Sequence, residues 1–263
     1  MFAGYRAAMS DAEQPQVFAN RFGDPGDPER VRGSCKCVTR PKQAKRFHGY
    51  RQDTQAPGWL RLLELIDQAA ADGREKFTPL RELSPQERWQ VVTLPASIGT
   101  LTEVKHLVLY GSNLVRIPPQ IGLMRSLEVF EPYTSYQLHW FPYELTRCPR
   151  LRSSTVSTRA VYGNYKTRMP FPKLAEPGPL PAAPDPGVWG ADEILTCSVC
   201  DQPLSGGELR QVWISRGVGS DVLPLLVNAC SQVCVAALPK PAAHHVPTTH
   251  TGGREVAQPP ASW

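Results

Sequence analysis

The sequence predicts an α/β fold in which short parallel strands recur along the chain, followed by a small module of a β-hairpin and a helix. Two observations lead to this prediction. An apolar-Pro dipeptide recurs at Leu94-Pro95, Ile117-Pro118 and Phe141-Pro142, in steps of 23 and 24 residues. Farther along, two closely spaced cysteine pairs flank two strand-like segments. The chain has 263 residues with a hydrophobic fraction of 41%, which is enough for a packed core, although its 27 prolines also indicate extended segments.

Apolar residues keep the same period within each repeat. A single amphipathic helix would show the 3.6-residue period without any return after 23 residues. One repeat cannot bury its own apolar face, so we expect neighbouring repeats to stack into a continuous core. The coinciding positions are Ile98, Ile121 and Leu145, then Leu101, Met124 and Cys148, then Val104, Leu127 and Leu151.

The segment from Val104 to Pro118 resembles the repeat of the leucine-rich repeat family. The resemblance covers residues 57–170 and implies a solenoid with short parallel strands on a concave face that binds a partner. The family usually has Asn where Ser112 stands, and Ser135 and Arg159 occupy the same rung here. We therefore expect the side-chain ladder of the family to be weakened or differently made. The matching apolar positions are Val104, Leu107, Leu109, Leu114 and Ile117.

Segments at both ends of the repeats are predicted to close the apolar core. Residues 59–73 read as a capping helix, and Gly73 suits the position just after its end. Residues 147–173 carry seven Lys/Arg and no acidic residue, and we interpret them as a solvated basic cap at the other end. The predicted apolar face of the helix comprises Trp59, Leu62, Leu63, Ile66, Ala69 and Ala70.

Alternate residues of the predicted strands point away from the core onto one shared surface. Aromatic and hydroxyl side chains on such a surface favour recognition of a protein partner over merely exposed strand sides. Pro132 should interrupt the ladder of the second repeat. The predicted partner-binding residues are His106, Val108, Tyr110, Val129, Glu131, Tyr133, Ser153, Thr155 and Ser157.

The loop at residues 134–145 is unusually aromatic. Tyr136, Trp140 and Tyr143 are candidates for anchoring a ligand, but packing of Trp140 and Phe141 in the core is the favoured interpretation. His139 is interpreted as a neighbour of that packing.

Four cysteines predict a metal site. Cys197 and Cys200 have two residues between them, and Cys230 and Cys234 have three. A Cys-x2-Cys turn and a Cys-x3-Cys helix start each direct two thiolates at one centre. The order of turn, hairpin and helix is similar to treble-clef zinc fingers. We expect one structural zinc ion, because four protein thiolates leave no open position and a unit of this size needs a metal to fold.

The remaining cysteines are not expected to bind this ion. Cys148 occupies a repeat core position and is interpreted as core filler. Cys35 and Cys37 lie in a run of eight Lys/Arg between residues 30 and 51, where a second metal site would lack ligands.

Composition divides the chain into five predicted parts. A basic, mostly disordered arm covers residues 1–56, and the repeat domain with its cap covers 57–173. Seven prolines between residues 170 and 186 predict an extended linker at 174–190. The zinc module follows at 191–239, and a disordered tail at 240–263.

These features predict a non-enzymatic adaptor that binds a protein partner. The sequence lacks a phosphate-binding loop, a His-Glu-x-x-His motif and a Gly-x-Ser-x-Gly motif, and it indicates no small-molecule substrate. The alternative is a nucleic-acid-associated protein that uses the basic arm and the basic stretch 147–173. Neither a secretory signal nor a membrane span is evident, so we expect a cytoplasmic location, where cysteines stay reduced.

Overall fold

The computed structural model describes residues 45–156, 169–204 and 207–259, which form a mixed α/β fold. Five helices and eight strands are described, together with short 3₁₀ turns. The helices are α1 (Pro57–Asp72), α2 (Pro79–Glu82), α3 (Pro85–Gln90), α4 (Pro186–Trp189) and α5 (Gln232–Ala236). The strands are β1 (Lys76–Phe77), β2 (His106–Val108), β3 (Val129–Glu131), β4 (Phe141–Pro142), β5 (Ser153–Ser154), β6 (Gly178–Pro179), β7 (Glu208–Val218) and β8 (Asp221–Ala229).

A parallel sheet with the order β1-β2-β3-β5 carries the repeats. His106 pairs with Val129, and Val129 pairs with Ser153. These pairings reproduce the predicted steps of 23 and 24 residues. Strand β3 ends at Glu131, immediately before Pro132, whose missing N–H cannot extend a ladder. The register of the repeats is therefore confirmed.

Each of the three apolar-Pro dipeptides precedes a 3₁₀ turn. The turns cover Ala96–Thr100, Pro119–Leu123 and Tyr143–Arg147, and a proline occupies the N-cap of each. Successive turns stack closely: a Cβ at Gly122 would lie 2.5 Å from the carbonyl oxygen of Glu144. Only glycine permits this approach, so the turns can pack backbone against backbone. The predicted core positions Leu94, Ile98, Leu101, Val104, Leu107 and Leu109 are all buried.

Helix α1 packs against the first 3₁₀ turn and the short helices that precede it, and its apolar face joins the repeat core, as expected of a cap. Gly73 directly follows its last turn and adopts the left-handed conformation, with φ 64°. The buried face differs slightly from the predicted one, because Leu65 is buried while Leu63 is half-buried and Ala70 is exposed. The short helices α2 and α3 lie between β1 and the first turn, and β1 itself was not predicted.

A second sheet joins the repeats to the hairpin module, with the order β4-β8-β7-β6. Strand β4 belongs to the third repeat and pairs parallel to β8, with Phe141 opposite Leu225. The proline-rich segment does not hold the two units apart, since it contributes β6 and α4 and packs beside the hairpin. The predicted boundaries at 57–173, 174–190 and 191–239 stay a prediction, but the units share one sheet.

Residues 45–56 and 240–259 pack on the fold, contrary to their assignment to a disordered arm and a disordered tail. Phe47 and Val246 join a buried aromatic cluster with Trp140, Phe171 and Trp213. Burial of these large side chains outweighs the local preference of Pro- and Thr-rich sequence for disorder. Residues 1–44, with Cys35 and Cys37, lie outside the described part of the chain. None of the described helices has the length and apolarity needed to cross a bilayer.

Candidate binding face and metal centre

The outward positions of the parallel strands form one face. Tyr110 and Tyr133 are 38% and 40% exposed, and their ring centroids lie 5.8 Å apart. Beside them, His106 Nε2 lies 2.9 Å from Glu131 Oε2. The structure places Val108, Val129 and Ser153 half-buried and Thr155 exposed on this face, while Ser157 lies outside the described residues.

Charged residues alternate along the edge of this face, one position before each strand. Glu75 pairs with Lys105, and Glu128 accepts a hydrogen bond from Arg152 at 2.8 Å. The Arg152 hydrogen bond lowers the pKa of Glu128. These four residues directly precede β1, β2, β3 and β5. One ion pair therefore joins the starts of β1 and β2, and another joins the starts of β3 and β5. The sequence analysis missed this edge because its period is visible only once the strands are paired.

The four cysteines of the predicted metal site lie together. All four Sγ atoms are within 4.8 Å of one another. Cys230 Sγ lies 3.6 Å from Cys200 Sγ and 3.5 Å from Cys234 Sγ. Tetrahedral zinc with bonds of about 2.3 Å to sulfur requires sulfur–sulfur distances of about 3.8 Å. The cluster is therefore compatible with one zinc ion.

Local backbone geometry directs these thiols at one centre. The backbone N–H groups of Val199 and Cys230 each donate to Cys197 Sγ at 3.4 Å. Asp201 closes the turn after the first pair in the left-handed conformation, with φ 63°. Ser231 caps α5 by accepting a hydrogen bond from Cys234 N at 3.2 Å. The predicted order of turn, hairpin and helix is confirmed.

Protonation is divided unequally within the cluster. Burial raises the pKa of Cys197, but backbone N–H donors outweigh it and lower the pKa to about 7. The Ser231 hydrogen bond lowers the pKa of Cys234, whereas burial and hydrogen bonds to the neighbouring thiols raise it to about 12. Several thiolates this close repel one another unless a cation lies between them, so the donor set suits a divalent, sulfur-preferring ion.

Cys148 has no part in this cluster. It is fully buried in the repeat core, and its Sγ donates to the Ile121 carbonyl at 3.3 Å. Burial raises the pKa of its thiol to about 11. A neutral, buried thiol packs as a small apolar side chain, in agreement with the prediction of core filler.

The turn at Cys197–Cys200 is held directly by the third repeat. Arg147 donates to the Ser198 carbonyl at 2.8 Å and forms an ion pair with Asp201 at 2.5 Å. On the other side of the hairpin, Arg216 donates to the Thr146 carbonyl at 3.1 Å. Sequence reasoning assigned Arg147 to a solvated basic cap, because no local pattern indicates a partner about fifty residues away.

The aromatic loop packs in the core, as favoured. Trp140 and Phe141 are buried, and Tyr136 and Tyr143 are half-buried. His139 is buried and stacks on His48 with ring centroids 5.4 Å apart. This loop therefore supports the fold.

Comparisons with known proteins add little. No protein-family model and no curated protein matches the sequence. Among solved structures, a leucine-rich repeat protein of Leptospira interrogans is similar over 46% of this chain, with 17% sequence identity and a TM-score of 0.24. The chain spans 34% of that protein's length. Similarity at this level says nothing about function, which has to follow from the site itself.

Proposed function

We propose that this chain is a non-enzymatic interaction protein, a leucine-rich repeat solenoid that binds a protein partner through its strand face. The neighbouring exposed rings of Tyr110 and Tyr133 are the observation that carries the proposal. Tyrosines supply large, rigid contact area with a polar tip, and they are enriched where partners bind most strongly. The alternating charges at Glu75, Lys105, Glu128 and Arg152 add a polar edge to the same face, at the start of the strands.

The second part of the proposal assigns one structural zinc ion to Cys197, Cys200, Cys230 and Cys234. Four protein thiolates fill a tetrahedral site and leave no position for a substrate or a catalytic water. The ion would fix the turn that Arg147 contacts, and so it would keep the hairpin module seated on the third repeat. Reduced thiolates of this kind suit a cytoplasmic location.

The partner-binding proposal is tested with the double variant Tyr110→Ala/Tyr133→Ala. The wild-type full-length chain is used to capture a partner, and the affinity of the purified partner is then measured for both proteins. We expect the variant to bind about 10-fold more weakly or worse, because truncating a hot-spot tyrosine costs about 2 kcal/mol or more and about 1.4 kcal/mol corresponds to 10-fold in affinity.

The matched control is Leu60→Ala/Val233→Ala, which removes two exposed apolar side chains away from the face. This control should keep wild-type affinity, and both variants should keep the wild-type melting temperature. Equal affinity of the tyrosine variant and the wild type would place the binding site elsewhere on the molecule.

Nucleic-acid association stays the alternative. Two arginines of the basic stretch, Arg147 and Arg152, already pair with Asp201 and Glu128, which leaves less free positive charge for phosphates. Binding through phosphate contacts would weaken steeply as salt is raised, whereas binding through the tyrosines would change little. A salt titration of the captured complex therefore separates the two functions.

A further inference from the structure

A cleft of about 680 Å³ lies between the turns of the repeats and the segment that leads into the cysteine module. Its volume falls within the range of small-molecule sites. Apolar side chains from both parts of the fold form its walls, and two of them, Leu123 and Leu195, are 46% and 56% exposed. The other apolar wall residues include Leu94, Ile117 and Ile194.

The arginines that line the cleft are all engaged by the protein. Arg116 donates to Asp192 Oδ2 and to the backbone carbonyls of His48 and Tyr50. Arg51 donates to the Pro184 carbonyl at 3.0 Å and lies 3.6 Å from Asp192 Oδ1. These contacts offset part of the positive charge that an anionic ligand would meet in the cleft.

Arg147, the third arginine of the cleft, is engaged in the same way by the Ser198 carbonyl and Asp201. A ligand entering the cleft thus meets guanidinium groups that already have carbonyl or carboxylate partners.

Apart from Asp192, which pairs with Arg116, the carboxylates of the cleft show the opposite pattern. Glu144 is 5% exposed, and its Oε2 is buried without a hydrogen-bond partner among the described residues. Burial raises the pKa of Glu144, although a hydrogen bond between Ser198 and the Glu144 side chain opposes this shift. Glu193, at the same cleft, is exposed and has no ion pair within the described part of the chain. A buried carboxylate oxygen without a donor is costly, so this position favours a ligand that supplies one.

We propose that this cleft binds a small, elongated apolar molecule that carries one protonated amine. The apolar body lies against Leu123 and Leu195, and the ammonium group donates to Glu144. This site shares no residue with the tyrosine face or with the four cysteines, although it adjoins the Cys197–Cys200 turn, and it does not depend on the proposed partner. Neither the repeat pattern nor the cysteine spacing indicated it, because its walls come from distant parts of the chain.

The test uses three probes with the same alkyl chain and different head groups: octylamine, octanoate and octanol. Binding to the full-length zinc-loaded protein is measured by isothermal titration calorimetry at neutral pH. We expect octylamine to bind, and octanoate to bind at least about 10-fold more weakly because its carboxylate has no N–H or O–H to donate to Glu144 Oε2.

Three variants locate the amine. Glu144→Gln keeps the side-chain volume and an acceptor for Ser198 but removes the charge, and it should weaken octylamine binding about 10-fold or more. Glu193→Gln, the matched control on an exposed carboxylate, should weaken it about 5-fold at most. Leu123→Gln alters only an exposed wall and should weaken octylamine and octanol alike. It also keeps the proposal testable if Glu144→Gln fails to fold.

Several results would overturn the proposal. Equal or tighter binding of octanoate would assign the cleft to another chemistry. Octylamine binding that survives in both folded variants, Glu144→Gln and Leu123→Gln, would place the amine elsewhere. Absence of octylamine binding to the folded wild type at millimolar concentrations would show that the cleft holds no such ligand.

Discussion

At the scale of single residues, buried polar side chains link successive repeats at the positions where the resemblance to leucine-rich repeats implies an asparagine ladder. Ser112 Oγ donates to Ser135 Oγ at 2.6 Å, and Ser135 Oγ donates to the Leu109 carbonyl at 3.0 Å. Beside this pair, Gln137 Nε2 donates to Asn113 Oδ1 at 2.6 Å. The ladder is thus differently made, by a hydroxyl pair and an amide pair. Arg159, the third predicted rung, lies outside the described residues.

The first prediction concerns the amide pair. Asn113 Nδ2 also donates to the Trp89 carbonyl, so Asn113→Ala removes a partner from the buried Gln137 amide and one from the carbonyl of half-buried Trp89. We expect the free energy of unfolding to fall by about 1–3 kcal/mol, as for other unsatisfied buried groups. Urea denaturation measures it, with the exposed Gln68→Ala on α1 as control. A loss no greater than that of the control would mean that this pair does not support the repeats.

A second residue-scale prediction concerns His250, which packs against Phe171 with ring centroids 4.6 Å apart. Burial lowers the pKa of His250 from 6.5 to about 4. The unfolded chain therefore binds this proton more readily, so the wild type should lose stability as pH falls from 6.5 towards 4. Urea denaturation across this range should show a smaller loss for His250→Gln, whereas parallel curves would contradict the burial of a neutral imidazole.

At the scale of elements, strand register was predictable and long-range packing was not. The repeat spacing predicted the positions of β2, β3 and β5, because each repeat must present its apolar residues to the same core. Strand β1 escaped prediction, since Lys76 pairs with His106 after a step of 30 residues that does not fit the period. The pairing of β4 with β8 leaves no trace in spacing, because it joins Phe141 to Leu225 across the linker. The metal ligands were predictable because each cysteine pair has a characteristic local spacing. The cleft was not, because its walls come from distant parts of the chain.

The element-scale prediction tests the repeat register. Leu107 in β2 is fully buried, whereas Val108, the next residue, is half-buried on the outward face. Leu107→Ala should lower the free energy of unfolding by roughly 2–5 kcal/mol, because it leaves a cavity in a close-packed core. Val108→Ala should cost much less. Similar losses in the two variants, measured by urea denaturation, would contradict the alternation of the strand.

At the scale of the whole molecule, the repeats and the cysteine module share one hydrophobic core. A single buried cluster extends from Leu62 in the capping helix to Val235 in α5. Polar contacts cross the same boundary: Asp221 Oδ2 accepts from Val156 N at 2.8 Å, and Arg116 pairs with Asp192. Units joined in this way are expected to unfold together, since losing one exposes apolar surface of the other.

The last prediction follows from this shared core. Purified protein should contain about one zinc ion per chain, and Cys230→Ser should abolish its binding because three thiolates bind structural zinc far more weakly. The extended linker that the sequence predicts at 174–190 would let the repeats survive this loss. The structure instead ties the Cys197–Cys200 turn to Arg147, and it pairs β8 with β4 of the third repeat. Metal removal should therefore lower the melting temperature of the repeats as well, in one transition seen both by circular dichroism and by the fluorescence of the buried tryptophans.

The variant Cys148→Ser, which changes a cysteine outside the cluster, should retain zinc. Two separate transitions, with the repeats unchanged on metal removal, would show that the modules fold independently.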